Sequence, residues 1–317
     1  MDGIADVVSG SYDPGDLFVF RGLGKGKYAK REKLRFDDGR RLGVGLASAV
    51  SVVDWNRDGK IDLIVGNIDG EVWVLPNVSH DGKLAFGSAK FAVPGGIANQ
   101  VRHDAGPLVA DWDGDGVPDL LVGASDGSVR LFRGRANTTP PAFRGGEILI
   151  EGFPEPAFEP VPCERDAATG RVQPPSVERS RLRPKLAVFD WNSDGKLDLL
   201  VGDACTTATA EPVLSEAQVK ERDELERRMS SIGSSLTRRR DETRVRVRHE
   251  LESLPPKPGD VDLRERIEER FEEEIAKDAA CRELESQVDE LWRKLLPFKP
   301  DRTVHGYVWV HLRTTTP

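Results

Sequence analysis

The sequence has few of the residues that cross-link small domains or bind transition metals. Only 3 cysteines (Cys163, Cys205 and Cys281) and 5 histidines occur among 317 residues. The cysteines are too few for a disulfide scaffold, and their spacing matches no zinc motif. The sequence leaves open whether Cys163 and Cys205 form a disulfide, because such a bond requires export to an oxidising compartment.

Long apolar segments are also missing. No run of about 18 apolar residues occurs, so we expect no transmembrane helix. The first thirty residues lack the basic and apolar regions of a signal peptide. The net charge of −8 makes the chain a poor candidate for binding nucleic-acid phosphates and a fair one for binding cations. We therefore expect no nucleic-acid partner.

What the sequence does contain is a repeat. The pattern Asp-Trp-[Asn/Asp]-x-Asp-Gly-x-x-Asp-Leu-[Ile/Leu]-Val-Gly occupies residues 54–66, 111–123 and 190–202, and a partial copy occupies residues 2–10. The glycines after the central aspartates, at 3, 59, 116 and 195, are 56, 57 and 79 residues apart. This spacing indicates a repeating unit with an insertion in the last interval.

Each copy lies among short runs of β-branched and aromatic residues. Residues 47–53 precede one copy and residues 72–75 follow it, with Gly, Asn and Asp between the runs. Such runs are typical of strands joined by hairpins. Fourth strands are predicted around residues 84–93 and 142–150. Four antiparallel strands per unit predict a mainly β fold, a partial β-propeller of four-stranded blades.

Two segments interrupt the repeats. Residues 151–184 are rich in proline and lack periodicity, which predicts an irregular loop. Residues 207–303 are inserted into the last hairpin. Within them 40 of the 81 residues from 214 to 294 are charged, and apolar residues recur at helical spacing, which predicts an α-helical hairpin or coiled coil. The predicted domains are blades at 1–206, a helical insertion at 207–303 and a returning blade strand at 304–317.

The repeated aspartates place side-chain oxygens at loop positions 1, 3, 5 and 9. A backbone carbonyl at position 7 adds an oxygen, and a bidentate carboxylate at position 9 brings the number to six, which suits Ca²⁺. An EF-hand is excluded because position 12 is Val65, Val122 or Val201 rather than Glu. The predicted calcium ligands are Asp54, Asn56, Asp58, Lys60 and Asp62; Asp111, Asp113, Asp115, Val117 and Asp119; Asp190, Asn192, Asp194, Lys196 and Asp198.

The alternative is that these segments are solvated turns between strands. A single turn of this kind would favour that interpretation, but three copies with the same oxygen positions favour metal binding. The copy at Asp111 has four carboxylates where the others have three and an asparagine. Because ligand charge raises calcium affinity, we expect this copy to bind most tightly.

With three full copies of this pattern, the sequence resembles the FG-GAP/VCBS repeat family, which includes the propellers of integrin alpha subunits. The resemblance covers about residues 1–150, 181–206 and 306–313. It implies a calcium-binding β-propeller in which the acidic loop joins the first two strands of a blade. In the opening copy of the repeat, Asp2 and Asp6 are the only loop aspartates present. Because the integrin ring has seven blades, the resemblance also implies a longer natural chain with an export signal on its N-terminal side.

The predicted function is that of an extracellular or cell-envelope module for interaction or adhesion, secreted, periplasmic or on the cell surface, with structural calcium. Its ligand would be a protein or a glycan, and the helical insertion would offer a surface for self-association. The alternative is a lectin or polysaccharide lyase, because the family includes such proteins. Trp55, Trp112 and Trp191 could stack on sugars, although their identical placement favours packing between blades. No catalytic constellation is apparent, so we predict that the chain is not an enzyme.

Overall fold

The structure, a computed structural model, describes residues 3–81, 83–93, 96–97, 101, 103–135, 138, 143–153, 161–163, 169, 182–253 and 263–313. Asp2 and most of the predicted loop at 151–184 lie outside these residues. The described part is mainly β, with a helical region, as the sequence predicts. No helix within it is both long enough and apolar enough to span a bilayer.

The chain divides into two compact units. The sheet unit comprises Met1–Pro160, Ser176–Thr206 and Val304–Pro317. The helical unit comprises Val161–Pro175 and Thr207–Thr303. Cys163 and Cys205 are both thiols in the structure.

The strands are short, as the brief apolar runs between turn residues predict. Their bounds are β1 (Val7–Gly10), β2 (Leu17–Phe20), β3 (Gly22–Gly24), β4 (Lys27–Tyr28), β5 (Glu32–Lys33), β6 (Ala49–Val53), β7 (Asp62–Gly66), β8 (Val72–Leu75), β9 (Lys90–Phe91), β10 (Gly106–Ala110), β11 (Asp119–Gly123), β12 (Val129–Gly134), β13 (Phe143–Ile150), β14 (Val161–Pro162), β15 (Leu182–Phe189), β16 (Asp198–Ala208) and β17 (Arg302–His311).

Within the described residues, the sheet unit contains four successive sheets and a two-stranded ribbon, β3-β4. Sheet 1 is β1-β2-β5, sheet 2 is β6-β7-β8-β9 and sheet 3 is β10-β11-β12-β13. In sheet 4, β16 pairs with β15 and β17, while β14 adds a short parallel pairing at the end of β16. Sheets 2 and 3 are antiparallel throughout. The predicted fourth strand at 84–93 shortens to β9, whereas the one at 142–150 forms as β13.

Each sheet packs against the next through buried apolar side chains. Side chains alternate along a strand, so Leu63 and Val65 of β7 pack towards sheet 1, while Ile64 packs towards sheet 3. The same division applies to β11, where Leu121 packs towards sheet 4. Sheets 2 and 3 are therefore buried on both faces, which explains why the three residues after the aspartate in each of their second strands are all apolar.

A glycine ends the second strand of sheet 2 and of sheet 3. A Cβ on Gly66 would overlap the carbonyl oxygen of Ala105, which immediately precedes β10. A Cβ on Gly123 would lie 2.6 Å from the carbonyl oxygen of Pro184 in β15. These glycines are required because the backbone of the following sheet approaches too closely for a side chain.

The helical unit consists of α1 (Glu216–Glu252), α2 (Leu263–Lys277), α3 (Ala279–Leu295) and a short 3-10 helix (Leu296–Phe298). A capping box formed by Ser215 and Gln218 begins α1. Both α2 and α3 contact α1. The second arm is two helices rather than one, because the Asp278 carboxylate accepts the N–H groups of Ala280 and Cys281 and starts a new helix there.

The apolar contact along the helices is narrow. One cluster joins Leu225 of α1 to Leu291 and Leu295 of α3. A second joins Val247 and Leu251 of α1 to Ile267 of α2. Ion pairs also link the arms, namely Arg239–Asp278, Arg240–Glu285, Arg244–Glu268 and Arg246–Glu274.

Candidate metal-binding loops

The three acidic loops join the first and second strands of sheets 2, 3 and 4. We name them the Asp54 loop (residues 54–62), the Asp111 loop (111–119) and the Asp190 loop (190–198). In each, position 1 follows the first strand directly and position 9 is the first residue of the second strand. The strands therefore fix both ends of every loop.

The position 1 carboxylate is the centre of each loop. Asp54 accepts the N–H groups of Asp58 at 3.1 Å and Gly59 at 3.0 Å. Asp111 accepts those of Gly114 and Gly116, both at 2.9 Å. The backbone therefore wraps around this side chain through hydrogen bonds within the loop.

Two residues in each loop have left-handed backbone conformations. The predicted glycine at position 6 does so, with φ of 83° at Gly116. The residue at position 4 also has a left-handed conformation, with φ of 58° at Arg57, 79° at Gly114 and 60° at Ser193. The Asp111 loop has glycine at both positions, so it forms this turn with less backbone strain than the other two.

The structure brings positions 1, 3 and 5 of the Asp111 loop together. One carboxylate oxygen from each of Asp111, Asp113 and Asp115 lies within 4.8 Å of the others. Two oxygens bound to the same Ca²⁺, each at about 2.3–2.6 Å, lie at most about 5 Å apart. The donor set and its spacing therefore fit a hard cation.

In the other two loops an amide replaces the carboxylate at position 3. The Asn56 Nδ2 donates to Asp58 at 3.0 Å, and the Asn192 Nδ2 donates to Asp194 at 3.3 Å. These internal hydrogen bonds reduce the repulsion that carboxylates at positions 3 and 5 would have.

Arg133 on β12 partly neutralises the Asp111 loop. Its Nη1 lies 2.5 Å from the Asp113 carboxylate, and its Nη2 lies 3.3 Å from Glu147. A cation bound by Asp113 would have to share this carboxylate with the guanidinium. The loop with the most carboxylates is therefore also the one with a competing positive charge.

The position 9 aspartates have a role that the sequence does not reveal. Asp119 is buried and accepts the N–H groups of Trp112 at 3.1 Å and Gly134 at 2.7 Å. Asp62 likewise accepts those of Trp55 at 3.0 Å and Asn77 at 2.6 Å. We call this arrangement the aspartate bridge, because it ties the loop to the end of the third strand.

The aspartate bridge recurs in sheets 1 and 4. Asp198 accepts the N–H groups of Trp191 at 2.9 Å and Arg313 at 2.7 Å. In sheet 1, Asp6 accepts the Gly22 N–H at 2.8 Å and pairs with Arg21. Asp6 is thus in the bridge of the opening copy.

The bridges differ in their electrostatics. Burial raises the pKa of Asp62 and Asp119 above the usual range, because the charged form loses hydration. The backbone hydrogen bond from Arg313 lowers the pKa of Asp198.

Position 7 contacts the loop through its backbone. The N–H groups of Lys60 and Val117 donate to the position 5 carboxylates, each at 2.8 Å, and that of Lys196 does so at 2.9 Å. The predicted residues at positions 1, 3, 5 and 7 therefore form one local network, while position 9 lies at its base.

The position 2 tryptophans differ between loops. Trp55 is 5% exposed, and its ring centroid lies 5.1 Å from that of Phe143 in sheet 3. Trp112 is buried with Leu199 and Val201 of sheet 4. Trp191 is 58% exposed. The predicted packing between sheets therefore occurs at two of the three positions and is wrong for Trp191.

A family model described as FG-GAP-like repeat matches residues 1–65 and 54–122. The chain is 28% identical over 195 residues to cartilage acidic protein 1 of Homo sapiens, covering 59% of this chain and 24% of that protein. The Mus musculus protein is also 28% identical, covering 59% and 25%. This chain thus spans about a quarter of these relatives' length. Neither the model nor these relatives indicate a catalytic family, which agrees with the prediction that the chain is not an enzyme.

One solved structure is also similar in part. Its title describes specific recognition of non-reducing terminal N-acetylglucosamine by an Agrocybe aegerita lectin. The TM-score is 0.34 with 17% identity, covering 62% of this chain and 44% of the other.

Proposed function

We propose that this chain, in which residues 1–122 match a model of FG-GAP-like repeats, is a calcium-stabilised β-propeller module that binds a protein or glycan outside the cell. The observation that carries the calcium proposal is the cluster of Asp111, Asp113 and Asp115 oxygens within 4.8 Å of one another. The same loop, with asparagine at position 3, occurs in sheets 2 and 4. The proposal assigns calcium to all three loops.

The proposed role of calcium is structural. The loop oxygens lie on short connections between paired strands, so an ion there would neutralise the carboxylates and hold the strand ends together. When bound, it would be held by positions 1, 3 and 5, with position 7 adding a backbone carbonyl. The aspartate bridge would stabilise the base of the loop with or without the ion.

The proposed extracellular location rests on the repeat and on the relatives' name, which refers to cartilage. Extracellular calcium modules bind with dissociation constants of about 10⁻⁴–10⁻³ M. Loops with exposed ligands, such as Asp58, Asp115 and Asp194, suit affinities in this range.

Calorimetry on the full chain tests the calcium proposal. We expect calcium to release or absorb heat and to raise the melting temperature, since a ligand that binds only the folded state stabilises it. Asp115→Ala should weaken binding by removing one ligand, whereas Asp81→Ala, a change at an exposed aspartate outside the loops, should not. An unchanged melting temperature in millimolar calcium would contradict the proposal.

Arg133 provides a second test at the same loop. Arg133→Gln removes the charge that pairs with Asp113, so we expect tighter calcium binding at the Asp111 loop. Arg135→Gln removes a charge two residues further along the chain and should leave the affinity nearly unchanged. Weaker binding in Arg133→Gln would show that the guanidinium supports the loop rather than competing with the ion.

The carbohydrate-binding alternative has one observation in its favour. Trp191 is a large aromatic side chain that is exposed at the surface, and such rings stack on sugars. Binding to a glycan array that is lost in Trp191→Ala would support the alternative. Release of unsaturated uronate from a pectin-like polymer would indicate a lyase.

A further inference from the structure

The connection between β2 and β5 is strongly basic. Residues 21–35 contain seven lysines and arginines and a single acidic residue, Glu32, although the whole chain has a net charge of −8. Such a concentration of positive charge in an acidic protein indicates a surface for an anionic partner. We call residues 21–31 the basic ribbon, because β3 and β4 pair within them.

The ribbon is fixed at its base. Asp6 accepts the Gly22 N–H at 2.8 Å, and the Ala29 N–H donates to the Arg21 carbonyl oxygen at 2.8 Å. A Cβ on Gly22 would lie 2.4 Å from the Ala5 carbonyl oxygen, so the base also packs closely against the chain before β1. The ribbon continues the β2 and β5 hairpin beyond the end of sheet 1 rather than lying on a face of that sheet. Its exposure therefore does not depend on which sheet packs beside sheet 1.

The tip of the ribbon is a tight turn that is open to solvent. Lys25 and Gly26 both have positive φ, 52° and 69°, as a two-residue type I′ hairpin turn requires. Such turns favour asparagine, aspartate or glycine at both positions, so a lysine at the first is unusual. A Cβ on Gly24 or Gly26 would meet nothing within 4 Å. The turn thus holds the Lys25 side chain at an uncrowded tip in a strained backbone conformation, which points to a functional constraint.

Four cations of the ribbon have no carboxylate partner within the part of the chain that the structure describes. All four are exposed, and they are Lys25, Lys27, Lys30 and Arg31. Other cations of this region are already paired, because Arg21 lies 2.8 Å from Asp6 and Lys33 lies 3.4 Å from Asp16. The four exposed cations are therefore available to an anion from outside the chain.

Two aromatic rings lie beside these cations. The Arg31 guanidinium lies 4.7 Å from the centroid of the Phe18 ring, and this contact holds it at the surface of sheet 1. Tyr28 follows Lys27 in β4 and is 47% exposed. The ribbon thus combines four cations with one exposed aromatic ring that a sugar can stack on.

We propose that the basic ribbon binds an acidic polysaccharide, a linear chain of sugar rings that carry sulfate or carboxylate groups. The inference rests on the proposed function, because it names the class of glycan that the module binds outside the cell. The four cations are distributed over a segment up to about 20 Å long, so a linear polyanion can contact all of them. Tyr28 provides the stacking surface between the charged groups.

Nucleic acids and membranes suit the ribbon less well. Duplex DNA carries one charge per about 1.7 Å along its axis, and the Asp54 and Asp111 loops would repel it, since they leave the sheets at the same end as the ribbon. A membrane surface requires apolar anchors or a larger basic cluster. Within residues 21–31 the one exposed aliphatic anchor is Leu23, which is 62% exposed. A thin, flexible polyanion can instead follow the ribbon alone.

Affinity measurements on the full chain with heparin, hyaluronate and uncharged dextran test the proposal. We expect binding to at least one of the two acidic polymers, and none to dextran, at a physiological ionic strength of about 0.15 M. The comparison of heparin with hyaluronate determines whether sulfate or carboxylate is preferred. The buffer contains EDTA, so the result does not depend on calcium. Absence of binding to both acidic polymers would overturn this inference, whereas the calcium proposal is tested separately by calorimetry.

The salt dependence of binding measures the number of cations in contact. Each contact releases a counterion, so the logarithm of the binding constant should fall with the logarithm of the salt concentration with a slope of about −3 for four contacts. Lys27→Gln should reduce the magnitude of this slope by about 1 and weaken binding about fivefold. Lys90→Gln is the matched control, because Lys90 is also an exposed lysine that precedes an aromatic residue in a two-residue strand. Equal effects of the two substitutions would overturn the proposal.

Lys25→Asn separates folding from binding. Asparagine suits the positive φ of the turn, so the melting temperature should stay the same or rise while the affinity for the acidic polymer falls about fivefold. Tyr28→Ala should lower the affinity without changing the salt slope, because it removes a stacking surface and no charge. Trp191→Ala, which tests the lectin alternative, should leave this binding unchanged. An unchanged affinity in Lys25→Asn would contradict the role of the tip.

Two competitors determine whether the ligand is a polysaccharide. A single-stranded DNA oligonucleotide and vesicles that contain phosphatidylserine present negative charge without a polysaccharide chain. Weaker binding to both than to the preferred acidic polysaccharide would support the proposal. Binding to either that equals or exceeds it would overturn the proposal in favour of a nucleic acid or a membrane surface.

Discussion

The two units are stabilised in different ways. The sheet unit buries large side chains completely, among them Phe132, Ile64 and Leu121, each 0% exposed. The helical unit has small apolar clusters, and its arms are also linked by ion pairs such as Arg240–Glu285, whose side chains are 47% and 40% exposed. Apolar burial contributes far more per residue than an exposed ion pair. The sheet unit should therefore be sensitive to core substitutions, and the helical unit to pH.

The largest effect is expected for Phe132→Ala. It leaves a cavity between sheets 2 and 3, which should lower the free energy of unfolding of the sheet unit by about 3–5 kcal/mol. Tyr28→Ala, at a position that is 47% exposed, should have little effect. Thermal unfolding followed by tryptophan fluorescence and by helix circular dichroism measures the change. Equal destabilisation of both signals would show that the units unfold as one.

The next largest effect is expected for Asp119→Ala. It removes the acceptor of two backbone N–H groups, those of Trp112 and Gly134, and each buried donor without a partner costs about 1–3 kcal/mol. Asp119→Asn retains one acceptor oxygen and should be intermediate. Comparing the melting temperatures of Asp119→Ala and Asp115→Ala in calcium-free buffer isolates the contribution of the bridge, because Asp115 is exposed and takes no part in it. Similar melting temperatures for Asp119→Ala and Asp115→Ala would contradict the prediction that the aspartate bridge stabilises the fold.

A pH effect is expected in the helical unit. The hydrogen bond from Arg239 lowers the pKa of Asp278 below its usual range. This stabilisation is therefore fully present above the unfolded pKa of about 3.9 and is lost as the pH falls further. The helix signal of the wild type should melt at lower temperature in acid, and Asp278→Asn should show less of this dependence. The exposed Asp289→Asn is the control, and a wild-type melting temperature that does not change with acid would contradict the prediction.

The smallest effect is expected for Arg246→Ala. The Arg246 side chain is 64% exposed and lies 3.0 Å from Glu274, so its loss should change the stability of the helical unit by about 0–1 kcal/mol. Salt should reduce this difference further. Denaturant titration at low and high ionic strength measures it, with the exposed Arg248→Ala as control. A loss of stability as large as that expected for Phe132→Ala would contradict the prediction that an exposed ion pair contributes less than apolar burial.

The local structure of the loops was predictable from the sequence, and the long-range hydrogen bonds of the aspartate bridges were not. The Asp and Gly spacing placed the three loops between strands, because the loop hydrogen bonds join residues two to five positions apart. The bridge from Asp119 reaches Gly134, and that from Asp198 reaches Arg313, so no local pattern reveals them. Trp191 occupies the same position in the repeat as Trp112, and the packing of a following sheet against Trp112 distinguishes their burial.

The break between α2 and α3 did have a local signal. Apolar residues recur at four-residue steps up to Ile275, and the next one in the series is Cys281, six residues later. Asp278 lies in that gap with the side chain of a helix N-cap. A shift in helical phase together with a capping residue therefore predicts two helices.

The aspartate bridge of sheet 4 constrains the order of events during synthesis. Asp198 and its donor Arg313 are separated by the whole helical segment. A ribosome therefore releases the Asp190 loop and β16 long before β17 is available to pair with them. The helical segment can fold by itself in the meantime, since the contacts that join α1 to α2 and α3 all lie within it. Its ends then lie together, with the Thr209 N–H 3.0 Å from the Asp301 carbonyl oxygen, which shortens the loop that β17 must close. We therefore expect the helices to form before β17 completes sheet 4.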